Sequence, residues 1–202
     1  MKSYLLVLGA GAALMTVASL SGCTGVAVGA GATAAVAASQ DRGLGGAIDD
    51  TKIRAEIDGL WFRSSYKIFS KVDLNIMEGR VMLTGAVPSE AMRNEAVRLT
   101  WQAAGVREVI DDIVVIPGGI SLAQGTHDEL VEEKLKADLL LDKHIDNINY
   151  DIDVVNGVIY LLGIAKNQAE LDRVLAYARS ISGVKQVVNH VLIKTNPRRI
   201  AN

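Results

Sequence analysis

The residue best placed to do chemistry is Cys23, the one thiol in 202 residues. It follows Leu20-Ser21-Gly22, at the end of an apolar stretch that runs from Leu5 to Leu20 behind Met1 and Lys2. A secretory signal has this layout: a charged start, an apolar middle, then small residues before the cut. Removal of residues 1–22 leaves Cys23 first. Its thiol is then a nucleophile open to acylation, and the mature chain is expected to carry acyl chains on sulfur and nitrogen. The competing reading is an uncleaved transmembrane anchor, for which the stretch is short. With a single cysteine, disulfides cannot be the stabiliser.

The other candidates for chemistry are weak. His127, His144 and His190 show no metal-ligand spacing and have no cysteine partner in the mature fold. His190 falls in a last strand, where it reads as a solvated edge residue. Neither a Gly-x-Ser-x-Gly elbow nor a phosphate loop occurs. Asp49-Asp50 and Asp111-Asp112 fit a helix start and a strand surface. The expectation is a protein with no catalysis, no metal and no cofactor. Lys and Arg number 21 against 23 Asp and Glu, a formal charge of −2. The signal takes one Lys and no acid with it. That balance argues against a nucleic-acid binder. Attraction to an anionic surface must come from a local patch.

An internal repeat organises the rest. Gly79, Gly85 and Gly105 recur as Gly157, Gly163 and Gly183, each displaced by 78 positions. The same step carries Asp50 to Asp128, Ile53 to Val131, Ile57 to Leu135 and Val115 to Ile193. Two copies of one fold, each of about 70 residues, are the simplest reading. In each copy an Asp (50 or 128) is an N-cap candidate for a helix whose i, i+4 pair, Ile53/Ile57 or Val131/Leu135, faces the core. Val72-Asp73-Leu74-Asn75-Ile76 and Tyr150-Asp151-Ile152-Asp153-Val154 alternate as half-buried strands do. Glu78-Gly79 and Asn156-Gly157 then mark tight hairpins, whose central residues need positive φ. Return strands end at Gly85 and Gly163. Second helices over 89–104 and 167–182 are expected to stop at Gly105 and Gly183 as C′ glycines. Last strands cover 109–115 and 187–193. The fold class is α+β: two tandem αββαβ domains, each a three-stranded mixed sheet covered by two helices.

The boundaries that follow are a signal over 1–22, then lipidated Cys23 and a small-residue tether over 23–46. A first domain spans 47–117, a linker 118–126, a second domain 127–195 and a tail 196–202. The tether is rich in Gly and Ala and lacks the Leu, Ile and Phe of a spanning helix. Asp41-Arg42-Gly43-Leu44-Gly45-Gly46 is expected to break any helix before the folded part.

A strand ending Val-x-Leu-x-Gly, a helix, Gly-Val and a Val-rich strand together resemble BON domains. Here the pattern reads Val81-Met82-Leu83-Thr84-Gly85 with Gly105-Val106. It recurs as Ile159-Tyr160-Leu161-Leu162-Gly163 with Gly183-Val184. Leu20-Ser21-Gly22-Cys23 looks like a lipobox. With the tether and two tandem copies, the chain resembles dual-BON outer-membrane lipoproteins. The resemblance implies a lipid anchor on the periplasmic face of the outer membrane and a role in its integrity. It also implies association with anionic phospholipid at sites of envelope remodelling, division sites included, without catalysis. In that family the second copy contacts lipid, and an aromatic used there, in the first turn of that copy's first helix, aligns with Leu130.

Comparing the copies tests this idea independently. Lys52, Glu56, Gly59 and Arg63 lie on one face of the first copy's helix, away from Ile53/Ile57. Their counterparts are Leu130, Lys134, Ala137 and Leu141. Two leucines flanking a lysine suit an interfacial contact, the Lys reaching a phosphate and the Leu entering the acyl boundary. Packing of Leu130 and Leu141 against the first copy, or ordinary exposure, explains them too. Glu129, Glu132, Glu133 and Asp138 weaken the electrostatics. Trp61 reads as core or interdomain, and Trp101 is placed between the copies. The rival function is an adaptor that docks envelope-assembly or division proteins through its strand edges.

Overall fold

Val81-Met82-Leu83 and Ile159-Tyr160-Leu161-Leu162 are unbroken apolar runs. In a strand such a run puts apolar side chains on both faces, so both faces need cover. The computed structural model, which describes residues 43–199, supplies it. The first copy consists of α1 (Gly43–Ser64), a short α2 (Tyr66–Phe69), β1 (Val72–Met77), β2 (Arg80–Val87), α3 (Glu90–Thr100), β3 (Glu108–Asp111) and β4 (Val114–Val115). The second consists of α4 (Leu122–Leu141), a 3-10 turn (Asn147–Asn149), β5 (Tyr150–Val155), β6 (Val158–Ala165), α5 (Gln168–Ser180) and β7 (Gln186–Ile193).

In both copies the hairpin is antiparallel and the strand after the helix returns parallel to the middle strand. The first copy's last strand is split into β3 and β4. At the break the Asp112 amide still donates to Leu83 O at 2.9 Å, while Ile113 turns into the core. Ile53, Ile57 and Trp61 of α1 pack with Ala96 and Leu99 of α3 on one face of the first sheet. Val131, Leu135, Leu139, Leu171 and Val174 do the same for the second. The remaining faces meet each other. Met77, Met82 and Ile110 pack on Val155, Tyr160, Leu162 and Ile164. The layers run helices, sheet, sheet, helices. Trp61 belongs to the first core, its indole N–H donating to Ala96 O at 3.2 Å.

Asp50 and Asp128 are not N-caps. The helices begin earlier, at Gly43 and at Leu122, so Gly43–Gly46 are helical and residues 122–126 are helix rather than linker. Ser121 caps α4, accepting from the Gln124 amide at 3.2 Å. Asp50 and Asp128 lie inside the helices and are buried. A buried carboxylate needs donors, and each finds two in the hairpin beside it. Asp50 accepts from the Glu78 and Gly79 amides at 3.0 and 2.8 Å. Asp128 accepts from those of Asn156 and Gly157 at 2.7 and 2.8 Å.

In those turns φ is 54° at Glu78, 70° at Gly79, 53° at Asn156 and 79° at Gly157. Gly157→Val is expected to cost the second copy roughly 1–3 kcal/mol through positive-φ strain, and Gly79→Val the same for the first. Thermal melts of both variants check this; unchanged curves would contradict it. Gly105 and Gly183 are not C′ residues. α3 ends at Thr100 with Trp101 as C-cap, and α5 ends at Ser180 with Ile181 as C-cap. The two glycines sit in the next turn, where the chain swings back over the hairpin. Just beyond them, Arg107 and Lys185 donate their amides to the carbonyls of Gly79 and Gly157, each at 2.8 Å. Gly85 and Gly163 mark close passes: an added Cβ would lie 2.3 Å from Lys71 O and 2.6 Å from Asn149 O, respectively.

Candidate functional site

The helix layers face outward, so what α4 presents to water is set by its 3.6-residue period. Val131, Leu135 and Leu139 point inward and are buried. Leu130, Lys134, Ala137 and Leu141 all lie exposed on the other side. Leu130 is 66% exposed and Leu141 83%. They are therefore not interdomain packing, because the copies meet through their sheets. Leu130 stands in the third turn of α4 rather than the first, since the helix starts at Leu122. Leu140, also 66% exposed, widens the apolar end of this face. Sequence reasoning missed it, although the run Leu139-Leu140-Leu141 cannot bury all three members on one helix side.

Lys134 is engaged: its Nζ lies 3.0 Å from Asp138 Oδ2. An exposed i, i+4 pair is worth only about 0.3–0.5 kcal/mol, so it exchanges readily for another anion. Glu129 and Glu133 are exposed beside it. The face is thus apolar at its ends and net acidic between them, with Glu129 and Glu133 beside the Lys134–Asp138 pair. The first copy's counterpart is polar. Lys52 pairs with Asp49 at 3.5 Å, and Glu56 accepts from the Ala104 amide at 3.1 Å.

The contact between copies corrects two expectations. His190 is no solvated edge residue: its Nε2 lies 2.6 Å from Asp112 Oδ2. These residues are counterparts in the repeat, so equivalent positions of the two last strands meet here. Arg80 adds a bond from Nη1 to His190 O at 3.0 Å and pairs with Glu108 at 2.7 Å. Trp101 is not between the copies; it is 53% exposed at the end of α3, on an outer layer. Arg199, in the expected tail, pairs with Glu78 at 2.6 Å.

Asp153 is the costly member of this interface. It is buried, and the Thr84 hydroxyl donates to it. Burial pushes its carboxyl pKa up; the Thr84 bond opposes that and the Asp73 charge adds to it. With its folded pKa above the unfolded one, the native state holds the proton longer. Its contribution is full below the ordinary carboxylate range and is lost as pH rises through the raised value. Asp153→Asn should therefore match the parent in acid and melt higher at neutral pH. Melting temperature against pH checks this, and parallel curves would contradict it.

Among the described residues, no group of three or more His, Cys, Asp or Glu side chains gathers as metal ligands do. No described helix is long and apolar enough to cross a membrane. Cys23 and the signal stretch lie outside the described residues.

Fold and surface together define a pair of fused α+β modules that present an apolar helix face. Residues 49–117 and 127–195 each match the BON domain, and the chain belongs to the BON-domain family. It is 37% identical over 152 residues to an uncharacterized protein in the gshII 5′ region of Anaplasma centrale, covering 75% of this chain and 99% of that one. It is 30% identical over 170 residues to the outer membrane lipoprotein DolP of Haemophilus influenzae, covering 84% and 87%. To the osmotically-inducible protein Y of Escherichia coli it is 27% identical over 152 residues, covering 75% and 76%.

Proposed function

We propose that this chain is a non-enzymatic envelope lipoprotein. It is held through acyl chains on Cys23 at the periplasmic face of the outer membrane. There it contacts anionic phospholipid through α4 and supports membrane integrity, division sites included. The observation that carries the lipid contact is the exposure of Leu130 and Leu141. Among the described residues no interface uses them, and the first copy has Lys52 and Arg63 in their places. Similarity to an outer membrane lipoprotein supports the location. Two leucines entering the acyl boundary contribute about 1.5–3 kcal/mol each, and one basic contact about 1 kcal/mol. Alone that is weak binding. One acyl chain is also marginal, so anchor and helix work by raising each other's local concentration.

The anchor has its own test. Cys23→Ala should abolish both fatty-acid labelling of the chain in cells and signal removal at 22/23. Labelling that persists in the variant would refute the lipoprotein reading.

A further inference from the structure

A second exposed apolar cluster lies on the first copy. Phe62, at the end of α1, meets Tyr66 and Phe69 of α2, with ring centroids 5.8–6.4 Å apart. The rings are 60%, 66% and 42% exposed. Ile68 is the buried residue that pins α2 to the core. The fold thus holds α2 by one side chain and leaves its aromatics in water. Both phenylalanines of the chain are spent here.

The segment that carries the rings is basic, although Lys71 at its end also borders a cleft lined by Asp73, Glu129, Glu132 and Asp153. Arg63, Lys67 and Lys71 are exposed, and none makes an ion pair among the described residues. No acid occurs from 59 to 72. On α3, Glu95 is held by Arg98 at 2.8 Å and by the Ser64 hydroxyl at 3.1 Å. The repeat shows that the fold does not require this cluster. The counterparts of Phe62, Tyr66, Phe69, Lys67 and Lys71 are Leu140, His144, Asn147, Ile145 and Asn149.

We propose that this aromatic-basic patch is a second membrane contact, on the first copy, that seats its rings among the headgroups of an anionic phospholipid bilayer. Aromatic rings favour the membrane–water interface, where one edge is apolar and the other wet. Exposed bases are drawn to anionic leaflets. A second copy of the chain is a poor occupant, because docking patch to patch would bring Arg63, Lys67 and Lys71 against their own duplicates. The site extends the membrane reading beyond α4 and does not require it.

Tryptophan probes separate the two contacts. The full chain carrying Phe62→Trp, and separately Leu141→Trp, is mixed with phosphatidylglycerol/phosphatidylcholine vesicles bearing brominated acyl chains. The parent's signal from Trp61 and Trp101 is subtracted. The expected result is a blue shift and quenching of the Phe62→Trp signal in anionic vesicles and little change in pure phosphatidylcholine. Lys67→Gln with Lys71→Gln should weaken vesicle binding about thirtyfold. Quenching of Leu141→Trp alone overturns this site and leaves the α4 reading standing; quenching of Phe62→Trp alone does the reverse. Equal quenching in neutral vesicles overturns the assignment to anionic lipid. Self-association in sedimentation that Phe62→Ser abolishes, with no quenching, overturns it in favour of a second copy. If Phe62→Trp melts early, Tyr66→Trp takes its place as the probe.

Discussion

Asp128→Ala should destabilise the second copy by roughly 2–4 kcal/mol. Its carboxylate accepts the Asn156 and Gly157 amides at 2.7 and 2.8 Å, and the Gly157 amide is buried. A buried donor left without a partner costs about 1–3 kcal/mol, and here two lose theirs at once. Alanine recovers a few tenths through helix propensity, which does not offset the loss. Asp128→Asn keeps one acceptor and should fall between alanine and the parent. Asp50→Ala should act likewise on the first copy through Glu78 and Gly79. Urea unfolding measures the cost. Amide exchange gives a local readout, since the Gly157 amide in the turn should lose protection before those of β6. A melt indistinguishable from the parent would mean that these carboxylates do not hold the turns.

The fold was legible because a repeat doubles every signal. Glu78-Gly79 and Asn156-Gly157 each follow an alternating strand and precede an apolar one, and helical spacing precedes and follows each hairpin. Helix starts were harder. Glycines at 43, 45 and 46 lower helix propensity, yet the helix runs through them, because propensity is a weak prior beside tertiary anchoring. The start of α4 did have a signal: Ser121-Leu122-Ala123-Gln124 has the capping-box spacing. With both starts read too late, Asp50 and Asp128 took the place of caps.

The candidate surface was legible only in part. Periodicity puts Leu130, Lys134, Ala137 and Leu141 on one face, but it cannot say whether a neighbour covers that face. The answer lay in the sheets. Met82, Tyr160 and Leu162 occupy strand positions that would otherwise face water, so the copies pack through them and leave the helices outside. His190 was misread because its partner, Asp112, lies in the other copy. The patch around Phe62 was missed because its rings are spread over two helices and come together only when Ile68 docks.

The proposed function depends on direct contact between α4 and lipid. Flotation of non-acylated residues 41–202 with phosphatidylglycerol vesicles tests it, comparing the parent with Leu130→Glu combined with Leu141→Glu. Removing two leucines at about 1.5–3 kcal/mol each should weaken binding roughly 10²- to 10⁴-fold. Melting should not change, because Val131, Leu135 and Leu139 keep the core. Lys134→Glu alone should weaken binding less and reduce its dependence on salt. The parent should float, and the double variant should stay in the dense fraction with an unaltered melt. A parent that stays in solution, as a pure adaptor would, or a folded double variant that floats like the parent, would contradict it.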